Sequence, residues 1–158
     1  MATRRKYHYT ECGLDNIYLV NGFEYVKTPH GRAVNIQDIE GLHKAIGLML
    51  VRDRKNLNGS EFRFLRHEMN MTQRVLAEVL NVDVQRVARW ENEKNKGSID
   101  GPALGLLRVL YEEAVKGNPK ILGPLKRLAE LDEEMHKYEE HFSFRDDQDG
   151  WQPSSIAA

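Results

Sequence analysis

The fold is decided by residues 71–92, which read MTQRVLAEVLNVDVQRVARWEN. Apolar residues recur in both halves at three- and four-residue spacing, which is the period of a helix with one buried face. Thr72 and Asp83 are N-cap residue types, and Asn81-Val82 makes a tight break between the two helices. The predicted inward residues are Val75, Leu76, Val79 and Leu80 in the first helix, and Val84 or Val87, Ala88 and Trp90 in the second.

Two short helices joined by a tight turn are the geometry that places one helix in the major groove of DNA. In the second helix, predicted over 83–93, Val84, Gln85 and Arg89 lie on the face opposite Val87 and Trp90. Glutamine can pair with adenine and arginine with guanine, and each such contact discriminates between bases by ~1–3 kcal/mol. The outer face of the second helix is therefore a candidate surface for reading a DNA sequence.

The same residues resemble the XRE family, the helix-turn-helix type of Cro and the phage repressors. The matching features are the Thr72-Gln73 start, Leu76-Ala77, the Asn81-Val82 turn, and the run Arg89–Asn92. The resemblance covers roughly residues 58–116. It implies a mainly α, lambda-repressor-like bundle whose closely crossing helices need an alanine at position 77. The family usually has glycine where Asn81 and Glu93 stand, although asparagine also tolerates a left-handed turn conformation.

The resemblance also implies a role for each matching position. Gln73 would bind a phosphate, Gln85 and Arg89 would read bases, and Val84 would contact a thymine methyl group. Glu91 would be structural and pair inside the bundle. The implied contacts to the DNA backbone come from Arg86, Asn92 and Lys94.

Further helices are predicted on both sides of this pair. Asn58 and Glu61 have the spacing of a capping box, which predicts a helix through Phe62, Leu65 and Met69. After the pair, Asp100 is predicted to cap a helix that buries Leu104, Leu107, Val109, Leu110 and Tyr111. A helix-turn-helix domain is therefore predicted over residues 58–116.

A last helix is predicted over residues 118–144, with Asn118 as its cap and Pro119 at its first position. Its apolar residues have heptad spacing, which fits either a dimer seam or a stripe that packs back on the bundle. These residues are Leu128, Leu131, Met135, Tyr138 and Phe142. A flexible tail is predicted over 145–158.

A small α+β domain is predicted over residues 1–51. Strands at 16–20 and 23–27 flank Asn21-Gly22, a strong hairpin signal, and a third strand is predicted at 32–36 after a turn at 29–31. A helix follows over 37–50, with Ile39, Leu42, His43, Ile46 and Leu50 on one stripe. The predicted fold class is thus mainly α, with a small N-terminal β-containing region and a C-terminal helix.

The overall outline is similar to MqsA-like antitoxins and regulators, whose N-terminal domain binds zinc through paired cysteines. This chain has a single cysteine, Cys12, with His8 four residues before it. One thiolate and one imidazole cannot fill a tetrahedral zinc site, so no metal and no cofactor are expected. A single cysteine also cannot form an internal disulfide, and no signal-peptide stretch is evident, which favours a cytoplasmic, nucleoid-associated protein.

The net charge of −1 excludes a protein that is basic throughout, but it is unevenly distributed. Residues 52–96 carry ten basic and seven acidic side chains, whereas residues 119–158 carry five and nine. The middle of the chain is therefore the part suited to a polyanion. No apolar run approaches the ~20 residues of a membrane helix, so no membrane partner is expected.

These features predict a sequence-specific DNA-binding regulator, a dimeric repressor that binds a palindromic operator. The alternative is an antitoxin that neutralises a toxin protein and represses its own operon. An enzyme is not expected, because the six histidines lack metal-ligand spacing and no glycine loop could hold a phosphate.

Overall fold

The computed structural model describes residues 6–92, 98–130 and 143–154. Its strands are β1 (Tyr7–His8), β2 (Tyr18–Leu19), β3 (Phe23–Thr28), β4 (Gly31–Ile36), β5 (Ser143–Asp147) and β6 (Gly150–Ser154). Its helices are α1 (Ile39–Asp53), α2 (Gly59–Glu68), α3 (Gln73–Leu80), α4 (Val84–Glu91), α5 (Gly101–Val115) and α6 (Leu122–Glu130). The predicted fold class, a helix-turn-helix bundle with a small β-containing region, is confirmed.

The N-terminal strands pair differently from the prediction. Asn21-Gly22 does not join a hairpin, because β2 pairs with β1 and β3 pairs with β4 in antiparallel register. The two-residue hairpin turn is Pro29-His30, closed by the pair Thr28 and Gly31, and the Thr28 hydroxyl donates to the Gly31 carbonyl at 2.8 Å. The partner of β2 is thus β1, an earlier segment of the chain, and the local turn signal at Asn21-Gly22 contains no information about this contact.

Helix α1 begins and ends later than the predicted helix over 37–50. Asp38 caps it by accepting a hydrogen bond from the Gly41 amide at 3.1 Å. The helix extends past residue 50 to Asp53, where the Arg108 guanidinium donates to four carbonyl oxygens at and just beyond the helix end. These oxygens belong to Leu50, Val51, Arg54 and Lys55. A helix end whose carbonyls are satisfied in this way needs no glycine stop signal.

The hydrophobic core continues from the N-terminal segment into the bundle. Tyr9 and Leu14 belong to the same buried cluster as Phe62, Leu76 and Leu107. Helices α1 and α5 approach closely at Gly47, where an added Cβ would lie 1.9 Å from the Tyr111 hydroxyl oxygen. The division into domains at 1–51 and 58–116 stays a prediction.

The helices after the turn differ from the prediction in two details. Val109 was predicted to be buried, but its side chain is 56% exposed, because the buried stripe of α5 contains its neighbour Leu110. Helix α6 starts at Leu122 rather than at Asn118-Pro119. Its start is set by Glu113, whose carboxylate accepts hydrogen bonds from the amides of Ile121 at 2.7 Å and Leu122 at 2.9 Å.

The C-terminal part carries a hairpin where none was predicted. Strands β5 and β6 pair over 143–154, whereas the prediction had a helix to residue 144 and a flexible tail beyond it. Of the predicted heptad stripe, Leu128 is exposed on α6, and its other four positions lie outside the described residues. Within the described ranges no helix combines the length and apolar character that crossing a membrane requires.

Candidate nucleic-acid interface

Helix α3 forms as its sequence predicts. The Thr72 side chain caps it by accepting a hydrogen bond from the Val75 amide at 3.1 Å. The predicted inward residues Val75, Leu76, Val79 and Leu80 are all buried. Ala77 is buried as well, as expected for a close crossing of two helices. Helix α3 therefore starts at its predicted cap and buries its predicted face.

The turn after α3 depends on Asn81. This residue has φ 55° and ψ 50°, which is the left-handed conformation. Asparagine tolerates this conformation, as expected at a position where the XRE family usually has glycine. Its amide donates to the Glu78 carbonyl at 3.1 Å, and the Val82 amide donates to the Ala77 carbonyl at 2.9 Å. These bonds satisfy the last carbonyls of α3 and let the chain reverse within three residues.

Helix α4 presents two different faces. Val87, Trp90 and Glu91 are buried, so Val87 rather than Val84 is the inward valine. The predicted readers Val84, Gln85 and Arg89 are exposed, and Val84 is 40% exposed. Ala88, which was predicted to face inward, is exposed because it lies ~100° around the helix from Val87. It adds a small side chain to the outer face, which the sequence interpretation missed.

The bounds of α4 and the contacts at its ends also differ from the prediction over 83–93. The helix spans Val84–Glu91, with Asn92 as its C-cap. Asp83 occupies the N-cap position, yet within the described part of the chain its side chain makes no capping hydrogen bond. The predicted helix is therefore present, but it starts one residue later and ends two residues earlier than predicted.

A buried ion-pair network fixes the inner face of α4. Glu91 is 1% exposed and accepts two hydrogen bonds from Arg66, at 2.5 Å from Nε and 3.0 Å from Nη2. Gln73 donates a third from Nε2 at 2.7 Å. The structural role predicted for Glu91 is confirmed. Its partner Arg66 lies 25 residues away in the sequence, so no local signal could have identified it.

The ionisation of Glu91 follows from this network. Burial by itself raises the pKa of the carboxyl group, but hydrogen bonds from Arg66 and Gln73 and the nearby Arg66 and Arg63 charges outweigh it. The net pKa lies below the ordinary glutamate value, so Glu91 stays charged at neutral pH. Three helices, α2, α3 and α4, are thus joined through one carboxylate.

Of the residues predicted to contact the DNA backbone, Gln73 belongs to this network. Gln73 is half-buried with its amide nitrogen on Glu91, which fixes the side-chain orientation at the start of α3. Arg86 is partly exposed and donates to Asp100 at 3.0 Å, so Asp100 is an ion-pair partner as well as the N-cap residue of α5. The amide of Asn92 donates to the Arg89 carbonyl at 3.2 Å. Lys94 lies outside the described residues.

Comparison with known proteins agrees with this geometry. The family model described as Helix-turn-helix matches residues 62–105, which cover most of α2, all of α3 and α4, and the first turn of α5. No curated protein and no solved structure matches the chain. The matched segment, residues 62–105, is thus similar to helix-turn-helix domains of the XRE type.

Proposed function

We propose that this protein is a sequence-specific transcriptional repressor that binds a palindromic operator as a homodimer and inserts α4 into the major groove. The observation that carries the proposal is the outer face of α4, where Val84, Gln85 and Arg89 are exposed while the opposite face is fixed by a buried ion pair. Regulation follows from occupying promoter DNA in the nucleoid, and no catalytic step is required.

Each exposed residue has a defined role in this proposal. Gln85 and Arg89 read base edges, and Val84 contacts a thymine methyl group. Positioning on the phosphates comes from Gln73, Arg86, Asn92 and Lys94. Arg86 would exchange its surface ion pair with Asp100 for a phosphate, at low cost because both side chains are about half exposed.

Exposed apolar side chains support the dimer. Val109 on α5, Ile121 just before α6, and Leu128 on α6 are each more than half exposed. Covering apolar side chains with a second copy of the chain removes them from water, which lowers the free energy of the assembly. A symmetric dimer would present two copies of α4 about 34 Å apart, one helical turn of DNA.

The test is selection of bound sequences from a random duplex pool with the full chain. We expect enrichment of an inverted repeat whose half-sites are centred about one turn apart. A selected pool with no common sequence would contradict specific reading, and enrichment of a single half-site without symmetry would contradict the dimer.

A second candidate is an antitoxin, which is favoured by the hairpin formed by β5 and β6. Trp151 is 72% exposed there and Phe144 is 59% exposed, beside the acidic residues Asp146 and Asp147. Large exposed aromatic side chains are typical of protein-binding surfaces. Co-expression with the neighbouring reading frames of its own operon would show a stable complex if this candidate is right, and separate elution would contradict it.

A further inference from the structure

A cavity lies where the N-terminal segment meets α1 and α2. Its volume is about 230 Å³. Most of the side chains that line it are polar or ionisable, and they come from three separate parts of the chain. They include Glu11, Cys12, His43, Arg63 and Glu68. A cavity with so many converging polar groups is suited to a small polar ligand.

One wall of the cavity is held by a chain of hydrogen bonds. Glu68 Oε1 lies 2.8 Å from His43 Nδ1, and His43 Nε2 lies 2.8 Å from the hydroxyl of buried Tyr9. A second hollow of about 320 Å³ lies against the same His43–Glu68 pair and is also lined by Lys44. The wall is therefore ordered before any ligand arrives, which reduces the entropic cost of binding.

The cavity carries charges of both signs. Glu11 and Glu68 supply two carboxylates, and the Glu11 carboxylate is oriented by the Tyr7 hydroxyl and the Thr10 amide. The hydrogen bond from Tyr7 lowers the pKa of Glu11, so this carboxylate is ionised at neutral pH. Two carboxylates in one cavity are suited to an ammonium group.

The opposite charge comes from Arg63. Its side chain is about half exposed and lines the cavity, and its planar guanidinium can bind a carboxylate through two hydrogen bonds. Burial raises the pKa of the Cys12 thiol, so this group stays neutral and adds no further negative charge. Besides His43 and His67, the ionisable side chains of the lining thus include two carboxylates and one guanidinium.

We propose that this cavity binds a small zwitterion of the amino-acid class, with its ammonium group on Glu11 and Glu68 and its carboxylate on Arg63. The volume of about 230 Å³ lies below the roughly 300–1,000 Å³ of pockets for drug-sized molecules, as a smaller ligand such as an amino acid requires.

Arg63 also connects the cavity to α4. Its Nη2 donates to the Glu91 carbonyl oxygen at 3.2 Å, and its Nε lies 3.6 Å from the Glu91 carboxylate. Glu91 is the last residue of α4 and follows Trp90. A ligand carboxylate on Arg63 competes with these contacts, so ligand binding is coupled to the C-terminal end of α4.

The test is calorimetric titration of the full chain without DNA, with each of the twenty standard amino acids as the probe. We expect saturable binding of at least one amino acid. Glu11→Gln and Arg63→Gln are each expected to weaken it by about tenfold or more, the loss of one charged hydrogen bond. Trp90 fluorescence, read in a Trp151→Phe background, is expected to change upon saturation.

Matched controls come from the surface ion pair between Arg52 and Glu112, which joins α1 to α5 and does not line the cavity. Arg52→Gln and Glu112→Gln are expected to leave the amino-acid affinity unchanged, and circular dichroism of all four variants checks folding. Absence of saturable binding by any amino acid would overturn the proposal. Equal affinity for ethylamine would overturn the role of Arg63. Neither outcome depends on whether the chain binds DNA.

Discussion

The two faces of α4 differ in a way that residue type alone does not indicate. The inner face contains a charged residue, Glu91, and the outer face contains an apolar one, Val84. Glu91 is tolerated inside because Arg66 and Gln73 satisfy its oxygens, whereas Val84 is exposed with its side chain available to a partner. What separates the two faces of this helix is thus the set of contacts that each side chain makes, rather than the residue type.

This difference has an experimental consequence. Substitutions on the inner face are expected to change the free energy of unfolding, and those on the outer face are expected to change DNA affinity and leave stability unaltered. A variant that strongly changes both the free energy of unfolding and the DNA affinity would contradict this division between the two faces.

The largest effect is expected for Glu91→Ala. Removing this carboxylate leaves Arg66 buried with an unpaired charge, and breaking a buried pair in this way costs about 3–5 kcal/mol. The measurement is urea-induced unfolding followed by circular dichroism, with the midpoint and slope compared with those of the parent chain.

A double variant separates the ion pair from simple packing. Arg66→Met combined with Glu91→Leu removes both charges and keeps apolar volume, so we expect it to recover most of the lost stability. If the double variant is as unstable as Glu91→Ala, the unpaired charge is not the cause of the loss.

The helix-turn-helix could be predicted from the sequence because its determinants are local. The capping box of Asn58 and Glu61 and the cap at Thr72 each lie within four residues of the groups that they satisfy. The left-handed Asn81 is likewise set by its own φ preference. Local hydrogen bonds of this kind leave a clear pattern in the sequence.

The remaining features depend on contacts between distant segments. The pairing of β2 with β1, the Arg108 bonds at the end of α1, and the Glu113 cap of α6 all involve partners outside the helix or strand concerned. The partner of Glu91 also comes from another helix. The cavity formed by residues 11–13, α1 and α2 has no local signal at all, because it exists only after these elements pack.

On the outer face, Arg89→Ala and Gln85→Ala are expected to lower affinity for the selected operator. Each base contact is worth ~1–3 kcal/mol, which corresponds to a loss of about 5- to 150-fold in binding. The measurement is a gel-shift titration against the selected and a scrambled duplex, together with urea unfolding.

The control for charge is Arg145→Ala. Arg145 is exposed on β5, far along the chain from α4, and replacing it with alanine removes the same charge as Arg89→Ala does. It should leave discrimination between the two duplexes intact. A parallel loss in both duplexes for Arg89→Ala would indicate phosphate binding rather than base reading, and a lower unfolding midpoint would place Arg89 among the structural residues.

The smallest effect compares the starts of α3 and α4. Thr72 caps α3 through a hydrogen bond to the Val75 amide, so Thr72→Ala is expected to cost about 1 kcal/mol of stability. Within the described residues the Asp83 side chain makes no such bond, and Asp83→Ala should therefore cost less, about the few tenths expected from losing a negative charge near a helix N-terminus. Urea unfolding of both variants measures the difference. Equal costs would mean that Asp83 does cap α4 in solution. The cap would then stabilise the start of α4 as strongly as Thr72 stabilises the start of α3.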